Sequence, residues 1–150
     1  MLARVVSVNT SERKGTRKKP APSIALVVGQ GVAGDAHAGD WHRQVSLLAQ
    51  ESIDTMAGSG LRLSPGDFAE NITSQGIDLW SLPVGTRLRL GSDALVEVTQ
   101  IGKECHLGCE IRRQVGDCVM PRQGIFARVL QAGTVRAGDA IAVEKPGEPS

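Results

Sequence analysis

The chain has 150 residues, with 17 Lys and Arg against 16 Asp and Glu and a formal net charge of +1, which is about one domain's worth of chain and carries no nucleic-acid footprint in its charge. Hydrophobic residues make up 41%, yet there are two Phe, two Trp and no Tyr, so the core rests on Val, Ile, Leu and Ala, and an aromatic base-stacking platform is argued against. No apolar stretch approaches the ~20 residues of a membrane span and the start lacks a signal-peptide layout, so a cytoplasmic chain with no membrane partner is expected, its three cysteines free thiols or metal ligands.

Alternation about Val5, Val6 and Val8 predicts a strand over residues 3–9, and apolar β-rich runs predict strands over 23–28 and 44–48. A short helix is expected over 49–57, where Ile53, Met56 and Ala57 fall at i, i+3 and i+4 and Gly58 suits the C-terminus. Residues 86–90 and 95–99 flank Gly91-Ser92-Asp93 and predict a hairpin. Two more strands are expected over 125–130 and 140–144, and residues 146–150 read as a disordered tail. Some seven short strands with one short helix, separated by Gly and Pro loops, predict a mainly β barrel or sandwich.

Between the first two strands, residues 11–20 carry Arg13, Lys14, Arg17, Lys18 and Lys19 against one carboxylate, Glu12. Such a run is either a solvated basic hairpin or a loop that closes on a phosphate-bearing ligand with the Gly15 amide. Gly29, Gly31 and Gly34 do not have the dinucleotide-binding spacing, and no long helix follows them. Next, Asp35, His37, Asp40, His42 and Arg43 fall within nine residues; that density on a loop between strands marks a candidate site.

The third polar cluster spans residues 103–109 and holds Cys105 and Cys109, with Cys118 further on. Three readings stand: buried inert thiols, a zinc site made from Cys105, Cys109, Cys118 and His106 or His37, and a reactive cysteine. In the last, Lys103, His106, Arg112 and Arg113 favour thiolate at Cys105, a nucleophile or a soft ligand for a transition metal.

Taken in order, Gly31-x-x-Gly34-Asp35-x-His37, His42-Arg43-Gln44-Val45-Ser46, Gly66-Asp67-Phe68-x-Glu70-Asn71-Ile72, Leu82-Pro83-Val84-Gly85-Thr86, the Cys105 segment and Gly133-Thr134-Val135-x-x-Gly138-Asp139 resemble a stand-alone MOSC domain. That domain is also found at the C-terminus of molybdenum cofactor sulfurases. The resemblance implies a partly closed β-barrel with one or two short helices, forming a single MOSC domain over 1–145. It implies binding of the molybdenum cofactor, a pterin dithiolene carrying phosphate, and a cysteine that carries sulfur as a persulfide or ligates Mo. That role falls on Cys105, with Cys109 second. Asp35, His37, His42, Arg43 and Asn71 would line the site, and Arg13, Lys14, Arg17, Lys18 and Lys19 would hold the phosphate.

Family partners follow from the same resemblance: a cysteine desulfurase, which binds pyridoxal phosphate, a molybdoenzyme, or an electron donor protein. Two alternatives stay open. One is a reductase of N-hydroxylated compounds that uses the same cofactor, which leaves enzyme against sulfur carrier undecided; the other is a zinc-binding adaptor without catalysis.

Overall fold

The computed structural model describes residues 3–12, 18–36, 38–57, 65–66, 68–102 and 124–145. Among them run β1 (Arg4–Thr10), β2 (Lys19–Ala21), β3 (Ile24–Val27), β4 (Gly31–Val32), β5 (Val45–Ala49), α1 (Gln50–Ala57), β6 (Ile72–Gln75), a 3-10 turn (Leu79–Ser81), β7 (Arg87–Leu90), β8 (Ala94–Ile101), β9 (Ile125–Gln131), β10 (Gly133–Val135) and β11 (Ile141–Lys145). Each of the seven strands expected from pattern is present within one or two residues, as are the 91–93 hairpin and the helix. The strands β2, β4, β6 and β10 were not expected. They are two to four residues long, too short for a period to register, and β2 contains Pro20, which is tolerated there because β2 is a sheet edge.

Eight strands form one sheet in the order β11-β7-β8-β9-β5-β6-β1-β2, with β10-β3-β4 as a second, smaller sheet. Alternation sets the wall of the large sheet: β8 turns Ala94, Val96 and Val98 into the core and leaves Leu95, Glu97 and Thr99 half-buried on its outer side. The strand β5 is buried along its whole length, because β9 and β6 pair with its two edges and α1 packs beside it. Near the far ends the sheet curls back on itself. Val5 N–H donates to Asp139 O (2.8 Å), Gly138 N–H to Val5 O (2.7 Å) and Ile141 N–H to Ala3 O (3.0 Å), beside a bridge between Arg4 and Ala140. The result is a mainly β, partly closed barrel, filled by Val, Leu, Ile and Ala from both sheets.

Candidate functional site

The geometry starts at a glycine. Gly31 has φ +99°, and a Cβ there would stand 2.2 Å from the carbonyl oxygen of Gln44, so only glycine lets β4 approach the start of β5 this closely. The Gln44 side chain is buried and its Oε1 accepts the N–H of Val129 at 2.9 Å, tying the same point to β9. Just before it, the His42 carbonyl accepts the Thr99 hydroxyl. His42 and Arg43 are thereby fixed over the end of β8.

Gln100 orients both side chains. Its Nε2 donates to Gly102 O at 2.7 Å and its Oε1 accepts Arg43 Nε at 3.0 Å, so the amide can point only one way. The same Oε1 lies 2.9 Å from His42 Nε2; that nitrogen must then carry the proton, and a neutral His42 keeps the Nδ1 lone pair as an acceptor. The Arg43 guanidinium sits over the Phe126 ring, 5.1 Å from its centre, and its two terminal nitrogens have no partner among the described residues. Gly102 N–H donates to Gly124 O at 2.7 Å. Those two residues flank 103–123 in the sequence, the stretch that carries the cysteines and lies outside the described residues.

A second anchor lies at the other end of the same loop. Lys18 Nζ donates to both oxygens of Asp35 (2.9 and 3.0 Å) and to Ser11 Oγ (3.0 Å), while Ser11 N–H donates to Asp35 Oδ1 (3.0 Å). The Lys18 and Asp35 side chains are fully buried, a state ionic groups tolerate only when paired. Ser11 and Lys18 are the two ends of the connection in the β1–β2 hairpin, and Lys19 follows exposed on β2. Residues 35–43 therefore link the base of the basic connection to the base of the thiol segment. Their span is at most about 29 Å at full extension, and shorter here, because Ala38 N–H donates to Asp35 O and Trp41 N–H to Gly39 O.

A buried polar network joins β1, β5 and β6. Asn71 Oδ1 accepts Ser46 N–H (3.0 Å) and Ser46 Oγ (3.1 Å), and Asn71 Nδ2 donates to Asn9 O (3.3 Å). Glu70 accepts the N–H of Gly66 (3.0 Å) and Phe68 (3.3 Å) and the Thr73 hydroxyl (2.7 Å). Burial raises its pKa to about 7 in spite of these donors, which pull the other way.

Pattern in the sequence thus placed His42 and Arg43 together; it set Asp35 and Asn71 on the lining of the site and Lys18 on the phosphate, whereas the structure buries all three and pairs them within the protein. It assigned no role to Gln44, Glu70 or Gln100, whose chemistry is hydrogen bonding to distant backbone and leaves no spacing signal. His37, Cys105, Cys109, Cys118, His106, Arg13, Lys14 and Arg17 lie outside the described residues, and with them the zinc constellation; among the described residues no cluster of metal ligands forms.

The sequence profile of the MOSC domain matches residues 34–142. This chain belongs to the MOSC domain family. A search of curated proteins finds no match. Among solved structures, this MOSC chain is similar to the YuaD protein from Bacillus subtilis (22% identity, 94% of each chain, TM-score 0.78). It is similar also to YiiM from Geobacillus stearothermophilus (22% identity, 95% of this chain and 75% of that one, TM-score 0.74) and YiiM from Escherichia coli (19%, 99% and 72%, TM-score 0.73). These likenesses fix the fold.

The MOSC family is associated with the molybdenum cofactor, whose phosphate calls for cationic donors. Arg43 has two guanidinium nitrogens with no partner among the described residues and so fits such a group, while His42 beside it presents Nδ1 to a donor N–H rather than to the phosphate. Lys18, Asp35 and Asn71 turn their polar atoms to the protein.

Proposed function

We propose that this MOSC chain, a single domain over 1–145, binds the molybdenum cofactor and works through the thiol of Cys105, as a carrier of persulfide sulfur or as a ligand to Mo, with Cys109 second. The supporting observation is the 35–43 segment. One of its ends is pinned to Ser11 and Lys18, the other to Gln100 beside Gly102, which supports a reading in which this loop stands between the basic connection and the segment that carries the cysteines.

In this reading His42, Arg43 and His37 line the site, Arg13, Lys14, Arg17 and Lys19 receive the phosphate, and Lys18, Asp35 and Asn71 position them. Cationic neighbours hold Cys105 as thiolate. When bound, the cofactor supplies a metal centre able to take a sulfur ligand. As a carrier, the Cys105 thiolate attacks the outer sulfur of a donor persulfide, such as that of a cysteine desulfurase; a new S–S bond forms at Cys105, the old one breaks and the donor cysteine leaves as thiolate. A molybdoenzyme would be the acceptor.

The test is elemental and pterin analysis of protein from a molybdenum-replete host. Near-equimolar Mo and pterin are expected; zinc without pterin overturns the proposal. Cys105→Ser then separates the two roles, losing Mo if the thiol is a ligand, and keeping Mo but no longer accepting cyanide-labile sulfur if it is a carrier.

A further inference from the structure

We propose that the outer side of β8 and β9 carries a binding site for a flat aromatic carboxylate. It adjoins the cofactor site through His42 but does not rest on the cofactor reading.

A cavity of 610 Å³ lies there, with Trp41, Val28 and Val84 as walls and Glu97, Thr99 and Arg128 along its floor. This volume is in the range of small-molecule sites. Six large apolar side chains are exposed among the described residues, and three of them, Val28 at 55%, Trp41 at 37% and Val84 at 53%, ring this one cavity although they come from three distant parts of the chain. Scattered exposed apolar groups need no explanation; a convergent set around a hollow marks a surface that an apolar ligand would cover.

The floor sets the polar chemistry. Arg87, Glu97 and Arg128 are cross-strand neighbours on β7, β8 and β9. Glu97 Oε1 accepts Arg128 Nε (3.1 Å) and Nη2 (2.8 Å), and its Oε2 accepts Arg87 Nε (3.3 Å). One carboxylate therefore serves two guanidinium groups; of the pair Arg128 lines the cavity, and its Nη1 has no partner among the described residues. Asp40, on the rim, is exposed and its charge is screened by solvent. An anionic group on the ligand would take the unengaged Arg128 N–H, while an aromatic ring lies between the indole of Trp41 and the valines. Volume, apolar walls and the open Arg128 N–H together point to an aryl carboxylate.

The probe is 2-naphthoate, titrated into ¹⁵N-labelled protein grown without molybdenum, so that failure here is separate from failure of the cofactor reading. The expected result is saturable shifts of the Trp41 indole N–H, assigned with Trp41→Phe, and of the Thr99 and Val129 amides. Affinity should fall about tenfold in Arg128→Gln, a variant on an exposed side chain that should keep the native spectrum, and comparably for the neutral isostere 2-naphthylmethanol. Acetate, the charge without the ring, should give no saturable shift. Absence of saturation at millimolar 2-naphthoate, unchanged affinity in Arg128→Gln, or tighter binding of 2-naphthylmethylamine overturns the proposal.

Discussion

Glu70 shows how one buried group couples the fold to pH. Its carboxyl meets three donors that favour the charged form, yet burial prevails and the pKa rises from 4.5 to about 7. Below the lower value both folded and unfolded chains hold the proton; between the two only the folded chain does, so the stability this group contributes falls as pH rises through that window and is gone above it. The loss is on the order of 3 kcal/mol, at about 1.4 kcal/mol per unit. Denaturant midpoints measured from pH 4 to 8 should show this decline, and Glu70→Gln should flatten it while lowering stability throughout, since the Gln amide N–H₂ would face the donors of Gly66 or Phe68. Stability rising across the window would contradict the burial argument. Cys105 makes a separate residue-scale forecast: with cationic sequence neighbours it should alkylate with iodoacetamide near neutral pH faster than Cys109 or Cys118. Equal rates would remove its privileged role.

At the scale of elements, the loop over 35–43 is held by a buried ion pair at one end and by Gln44 and Gln100 at the other. Lys18→Met should cost about 3–5 kcal/mol because it strands the Asp35 carboxylate in the interior, whereas Arg13→Gln or Lys14→Gln should each change stability by no more than about 0.5 kcal/mol; thermal melts of the three variants decide it. Lys18→Met combined with Asp35→Leu should recover much of the loss. The contrast also explains what the sequence could and could not disclose. Strands such as β8 announce themselves by alternation, and β5 by a short Val- and Leu-rich run. Lys18 sits among four other cations of the same connection and nothing local distinguishes the buried one; its partner is 17 residues away. Gln100 and Gln44 are equally silent, each defined by a partner far away in the sequence, Arg43 for Gln100 and Val129 for Gln44. The polar clusters themselves were legible because two His, two Asp and one Arg in nine residues is a local property.

The whole molecule places these groups unequally. Counting across the large sheet from β11 to β1, the strands β8 and β9 that carry Gln100 and Val129, and β5 that follows Gln44, lie in the middle, and the three backbone bonds between Ala3 or Val5 and Gly138–Ile141 form the last link on the opposite side. Central strands, paired on both edges, exchange their amide hydrogens only by near-global unfolding, whereas a short link at the rim opens on its own. Native-state hydrogen exchange should therefore find Val5, Gly138 and Ile141 opening at lower free energy than Leu47, Val98 and Ala127. Gly138 has φ +95° and open space where a Cβ would stand, so Gly138→Ala strains the backbone without a clash and should lower stability by about 1 kcal/mol or more. That strain should fall on the rim: exchange at Val5 and Ile141 accelerates, exchange at Val98 and Ala127 shifts only by the global loss, and 2-naphthoate binding keeps its affinity. If the rim and the centre accelerate together, or if binding on β8 and β9 weakens, the barrel behaves as one cooperative unit and the site is not insulated from its seam.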